Sequence, residues 1–135
     1  MKAVKFFAYL LVVISTSFFT SCTPENLDYG STTKEIITKA QWSVDYFFAG
    51  QDVTSQFSNY KLNFVSNGTV TANDGTTTIN GTWSMITDLN RNEVLRINIA
   101  ESQLQILSNQ WTVKQTSDEV LTMKGAASEI HLRKL

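Results

Sequence analysis

The chain has 135 residues, 42% of them hydrophobic and only 17% charged, with eleven basic and twelve acidic side chains giving a net charge of −1. That length supports one domain, and the balanced charge carries no basic stripe, which argues against electrostatic capture of nucleic acid. One cysteine (Cys22) and one histidine (His131) exclude a disulfide framework, a thiolate-built zinc or iron–sulfur centre and a multi-histidine metal site. The pattern calls for no cofactor.

The first segment differs from the rest. Met1 to Lys5 carries Lys2 and Lys5 and no acid, Phe6 to Ile14 is apolar apart from the Tyr9 hydroxyl, and Ser15 to Thr20 is small or aromatic. A cationic start, an apolar run too short for a comfortable membrane span and no basic stop behind it read as a secretion signal. The run ends Phe19-Thr20-Ser21-Cys22, which resembles a bacterial lipobox, with Phe19 standing where an aliphatic residue is usual. The resemblance implies a signal peptide over 1–21, acylation of Cys22 by palmitate-type chains and a membrane as partner through that residue. Each buried methylene contributes ~0.8 kcal/mol, and more than one chain makes such anchoring stable. Thr23, not Asp, follows the cysteine, which points to the outer membrane and leaves periplasmic and surface sides open. Loss of Lys2 and Lys5 with the signal leaves nine basic and twelve acidic residues, a net charge of −3. Residues 22–33 are polar, contain Pro24 and Gly30, and read as a flexible tether. The domain proper is expected over 34–135.

Thr33 to Ala40 has helical composition, with Ile36 and Ile37 together and charges elsewhere. From Gln41 the period becomes two. Trp42, Val44, Tyr46 and Phe48 form one face of the first expected strand. Tyr60, Leu62 and Phe64 form that of the second, Val70 and Ala72 that of a short third, and Ile79, Trp83 and Met85 that of the fourth. Leu95, Ile97 and Ile99, then Trp111 and Val113, then Leu121 and Met123, then Ile130 and Leu132 continue the series. Alternation of this kind marks strands with one buried and one wet face. Asn67-Gly68 and Asn73-Asp74-Gly75 are hairpin signals, because Asn and Gly tolerate positive φ, and Asp88 to Asn92 makes a longer polar loop. Asp52 to Phe57 reads as a turn capped by Asp52. Ser102 to Leu107 places Leu104 and Leu107 three apart, a helical turn between strands five and six. Gly81 falls on the apolar face of its strand and predicts a bulge or the close approach of an aromatic ring.

Eight strands joined by short connections between sequence neighbours predict an antiparallel meander. Closing it abolishes the edges, so the expected fold is all-β, an eight-stranded up-and-down barrel. An immunoglobulin-like sandwich would want longer crossing connections and a disulfide that one cysteine cannot make. The order Ala40-Gln41-Trp42, Asn59 to Phe64 with Asn67-Gly68-Thr69-Val70, Gly81-Thr82-Trp83-Ser84, Leu95 to Ile99 and Trp111-Thr112-Val113 resembles the small lipocalin-like lipoproteins of Bacteroidota-type bacteria over Ala40 to Leu135. Ala40 stands where the lipocalin Gly-x-Trp signature has glycine. The resemblance implies a barrel that binds a small apolar molecule and carries over no catalytic residue.

Trp42, Tyr60, Phe64, Trp83 and Trp111 are the candidate ligand-lining residues. Eight strands enclose an interior that is either filled by side chains or holds one small ligand, and large aromatics bury ~150–250 Å² each, so these residues serve equally as core. Asp45, Asp52, Asp118 and Glu119 fall at outward or turn positions, and His131 alternates outward, so no enzyme is expected. Phe47 lies on the polar face of the first strand and Phe57 in a connection. They either form an outer apolar patch, or Phe47 packs beneath the turn at Ser102–Leu107. Two readings stand: a lipid-anchored carrier of a small apolar ligand, and a non-enzymatic interaction or structural accessory of the envelope with a filled barrel. The pattern specifies no oligomeric state.

Overall fold

A computed structural model describes residues 31–135, so the signal, Cys22 and the tether up to residue 30 lie outside the described residues. The described chain opens with helix α1 (Ser31–Thr38) and continues through strands β1 (Gln41–Ala49), β2 (Lys61–Phe64), β3 (Thr69–Asn73), β4 (Thr78–Thr87), β5 (Glu93–Asn98), β6 (Gln110–Thr116), β7 (Val120–Lys124) and β8 (Ser128–Lys134). A four-residue helix α2 (Thr54–Phe57) joins β1 to β2, and a 3-10 turn (Gln105–Leu107) lies between β5 and β6.

Every strand pairs antiparallel with its sequence neighbour, and β8 returns to β1 over Trp42↔Lys134 to Ala49↔Ser128, closing the barrel in the order β1 to β8. The expected eight-stranded up-and-down barrel is the fold, and closure leaves no unpaired edge.

The meander puts alternate connections at opposite ends. One end carries the β2–β3, β4–β5 and β6–β7 turns and α1; the other carries α2, the 3-10 turn and the β3–β4 and β7–β8 turns. Ile37 of α1 is fully buried at the first end, and Val53 and Phe57 near α2 with Leu104 and Leu107 at the 3-10 turn are buried at the second. Helix α1 begins at Ser31, two residues before the expected Thr33, and Thr33 is buried. Its hydroxyl donates to Glu93 Oε2 on β5 and lies 3.0 Å from Thr116 Oγ1 on β6. The polar run read as the last of the tether therefore belongs, from Ser31, to the first turn of a docked helix.

Two strands depart from strict alternation. In β1 the register against β8 shifts between Val44 and Tyr46. A bulge inserts one residue and reverses the faces that follow. Phe47, expected on the wet face, is consequently fully buried, while Phe48, expected inside, is 38% exposed. Tyr46, also expected inside, is half-buried, with its ring 5.0 Å from that of His131. A second shift lies in β6 between Val113 and Gln115.

The turns follow the side-chain chemistry. Asn67 Oδ1 accepts from the Thr69 N–H at 2.9 Å, and Gly68 adopts φ +90°. Asn67 itself does not take a positive φ, so the hairpin is closed by a turn longer than two residues with one left-handed glycine. Asp52 Oδ1 accepts from the Thr54 N–H at 2.9 Å where the chain enters α2.

Gly81 is not at a bulge, since β4 runs in continuous register through it to Val70. A Cβ there would lie 2.6 Å from both the Asn98 carbonyl oxygen and Ile99 Cγ1. The close approach expected at this position is thus made by backbone and aliphatic atoms, with no aromatic ring involved.

Candidate functional site

The barrel interior is one continuous hydrophobic cluster to which all eight strands, α1, α2 and the 3-10 turn contribute. Trp42, Phe64, Trp83 and Trp111, four of the five candidate lining residues, are buried in it. Tyr60, expected in the second strand, is half-buried just before β2, and its hydroxyl reaches Gln103 Oε1 at 3.3 Å.

Each tryptophan has its indole N–H satisfied by a backbone carbonyl, as burial requires. Trp42 donates to Ile37 O of α1, Trp111 to Leu107 O of the 3-10 turn, and Trp83 to Val65 O of the β2–β3 turn, each at 2.9 Å. The ring fills the barrel and its polar edge fastens a segment that covers an end. The rings also meet one another: Phe64 stands edge-on to Trp83 at 5.6 Å, and Phe47 lies 5.7 Å from Trp111 and 5.0 Å from Phe57. Phe47 and Phe57 therefore belong to the interior. The bulge that turns Phe47 inward leaves no mark in the residue pattern, because Phe47 and Phe48 are interchangeable as apolar signals.

The outer face carries paired charges. Arg133 Nη2 donates to Asp45 Oδ2 at 2.9 Å, and the guanidinium holds the Asp45 carboxyl below the usual carboxylate range. His131 Nε2 lies 2.8 Å from Glu129 Oε1, and Lys124 Nζ lies 3.3 Å from Glu129 Oε2. These two donors, His131 first, lower the Glu129 pKa. His131 is half-buried, so the expected exposed histidine is outward but engaged by its neighbours. Asp52 is occupied at the entrance to α2, and Asp118 and Glu119 are exposed in the β6–β7 turn. Among the described residues no group of three or more His, Cys, Asp or Glu side chains is assembled.

A cleft of about 350 Å³ opens beside α1, lined by Arg91, Asn92, Glu93, Val113, Lys114, Gln115 and Thr116. It lies where the β5–β6 pairing, which runs only from Val94↔Thr112 to Arg96↔Gln110, has ended. Its rim is the β4–β5 loop. There Asp88 Oδ1 accepts from the Asn90 and Asn92 N–H groups at 2.8 Å each, and Asp88 Oδ2 accepts from Asn92 Nδ2 at 2.9 Å. Asn92, first through its side chain, and then the Asn90 N–H and the Lys114 charge lower the Asp88 pKa. Arg91 takes φ +64°, and Leu89 at the tip is fully exposed. Sequence reasoning marked this segment only as a polar loop. Leu89, between Asp88 and Asn90, was the available signal.

No protein-family model matches the sequence, and no curated protein matches it. A solved structure with a similar fold is the crystal structure of a DUF4847 family protein from Bacteroides vulgatus ATCC 8482. The match has a TM-score of 0.54 and 17% sequence identity and covers 74% of this chain and 95% of that one. At that identity the likeness is one of fold.

Proposed function

We propose that the protein is a lipid-anchored, non-enzymatic accessory of the cell envelope that works through its outer surface, its barrel serving as a filled scaffold. The observation that carries this reading is the state of the interior. Trp42, Phe47, Phe64 and Trp111 are each at most 1% exposed, and α1 covers one end while α2 and the 3-10 turn cover the other. Ligand sites usually offer ~300–1,000 Å³ of concave space, and four of the five residues expected to line such a space are buried in one hydrophobic cluster. The lipocalin-like resemblance accounts for the barrel, and the carrier function it implied is the weaker of the two readings. Anchoring through acylated Cys22 in the outer membrane is part of the proposal and rests on the lipobox resemblance.

Native mass spectrometry of the purified protein, with solvent extraction, tests it. The expected result is the mass of the acylated chain alone. A stoichiometric apolar molecule that survives purification would restore the carrier reading. Cys22→Ser should lose palmitate labelling and membrane partition; unchanged partition would refute the anchor.

A further inference from the structure

We infer that the end of the barrel bearing α1 docks on the surface of an anionic phospholipid bilayer. Leu89 enters the interfacial region, and Arg91 with Lys114 holds lipid phosphate at the mouth of the adjoining cleft. The inference rests on the proposed acylation of Cys22, and three independent features lead to it.

The first is placement. Thr33 in the first turn of α1 bonds directly to Glu93, the residue that follows the β4–β5 loop. The loop tip and the start of the described chain therefore lie together at one end of the barrel. From Cys22 to Ser31 is nine residue steps, a span of at most about 32 Å even when fully extended. That span keeps the loop within reach of the plane the acyl chains enter.

The second is the side chain presented. Leu89 is fully exposed, whereas the interior-facing leucines at 62, 95, 104, 107, 121 and 132 are buried. Its loop is not a loose one. Three hydrogen bonds to the Asp88 carboxylate, the Arg91 N–H to Asp88 O at 3.0 Å and the Asp88 N–H to Asn92 O at 2.9 Å fix its shape. A non-glycine residue at positive φ, here Arg91, persists only where its surroundings over-determine it. Such a rigid turn presents an apolar tip without an ordering cost on contact.

The third is charge. Arg91 and Lys114 line the same cleft beside Leu89. Of the carboxylates near them, Glu93 accepts from the Thr33 hydroxyl and Asp88 accepts three hydrogen bonds inside its own loop, which leaves the guanidinium and the ammonium as the groups to meet an incoming anion. A guanidinium and an ammonium on one open cleft match phosphate oxygens, and each basic residue near an anionic leaflet is attracted within a Debye length of it. An apolar tip with cations nearby is the arrangement that interfacial membrane contacts use.

The test uses the full lipidated protein reconstituted in vesicles of phosphatidylcholine and phosphatidylglycerol. With Cys22 acylated, Leu89→Cys introduces the sole free thiol, which takes one nitroxide label; Gln51→Cys labels the opposite end. Collision of each label with oxygen and with a water-soluble nickel chelate is read by electron paramagnetic resonance. The label at 89 should collide several-fold more with oxygen than with the chelate, and the label at 51 should behave as in water. Adding Arg91→Ala and Lys114→Ala, or raising the salt, should return the label at 89 toward water. A label at 89 as wet as that at 51, with the protein still in the vesicle fraction, overturns the docking and leaves the anchor standing. Protein that leaves the vesicle fraction and takes two labels overturns the anchor, and the docking with it. A label at 89 that is buried equally in pure phosphatidylcholine overturns the role given to Arg91 and Lys114.

Discussion

Trp83 offers the sharpest test of how the barrel is held. It lies on the inward face of β4, is 5% exposed, and stands edge-on to Phe64. It also closes the β2–β3 turn twice. Its backbone N–H donates to Gly68 O at 2.8 Å, and its indole N–H donates to Val65 O at 2.9 Å. Val65 O already accepts from the Gly68 N–H at 3.0 Å, so loss of the indole weakens that carbonyl without orphaning it. Trp83→Ala removes the whole ring and should cost ~3–5 kcal/mol, out of a total stability of ~5–15 kcal/mol for a domain. At about 4–8 °C per kcal/mol for a domain near this size, the melting temperature should fall by more than ~12 °C. Trp83→Phe keeps an aromatic ring against Phe64 and loses one hydrogen bond, worth ~0.5–1.5 kcal/mol, together with part of the indole volume. Its urea midpoint should drop by roughly 1 M at an unchanged slope. Lys61→Ala, on the exposed face of β2, should leave both readouts alone. A wild-type melting curve for Trp83→Ala would refute the placement of Trp83 in the core. Equal midpoints for Trp83→Phe and the wild type would refute the part assigned to the indole N–H.

Gly81→Ala places a methyl 2.6 Å from the Asn98 carbonyl oxygen, which cannot retreat without disturbing the β4–β5 ladder; overpacking of this kind costs ~1–3 kcal/mol, measurable as a lower urea midpoint. Acid should weaken the fold through its capped carboxylates. Asp52, Asp74 and Asp88 are held below the usual carboxylate range by Thr54, by the Thr77 and Thr76 N–H groups, and by Asn92. A depressed folded-state pKa gives stability that is complete above the ordinary value and is lost as pH falls through about 4 toward the folded-state value. The urea midpoint should therefore fall between about pH 5 and pH 3, and less steeply in Asp74→Asn and Asp88→Asn, which begin lower at neutral pH.

The barrel was legible because its determinants are local and repeated. Leu62 and Phe64, Val70 and Ala72, Leu121 and Met123, and Ile130 and Leu132 alternate inward as the period-two pattern requires, and short connections leave antiparallel neighbours as the simplest pairing. Closure followed because an open meander would leave β1 and β8 as edges. What the pattern did not reveal is non-local. The β1 bulge is set by register against β8, and β8 lies some ninety residues away in sequence. The burial of Thr33 depends on Glu93 and Thr116, which only the closed barrel brings to it. The cleft carrying Arg91 and Lys114 lies where the β5–β6 pairing has ended, a matter of pairing between strands that no local composition encodes.

Whether the covered mouth could still open turns on the length of α1. Its eight residues span only ~12 Å, and isolated helices shorter than ~12–15 residues are marginal in water. Undocked, α1 would not persist as a rigid lid swinging on a hinge. Leaving the mouth means melting, with Ile37 exposed, the Trp42 indole N–H deprived of Ile37 O and Glu93 deprived of the Thr33 hydroxyl. Opening is then a local unfolding event, whose free energy native-state hydrogen exchange reads directly. A filled scaffold has no reason to open, so the amide of Lys39, bonded to Ile36 O at 3.2 Å, and that of Leu135, bonded to Gln41 O at 2.9 Å, should fray first at the margins. The amides of Ile36 and Ile37 inside α1 should exchange far more slowly, near the rate of the β1–β8 ladder. Exchange of Ile36 and Ile37 many-fold faster than that ladder would show that α1 detaches while the barrel stays folded. That outcome would make the α1 end a gate and count against the filled-scaffold reading.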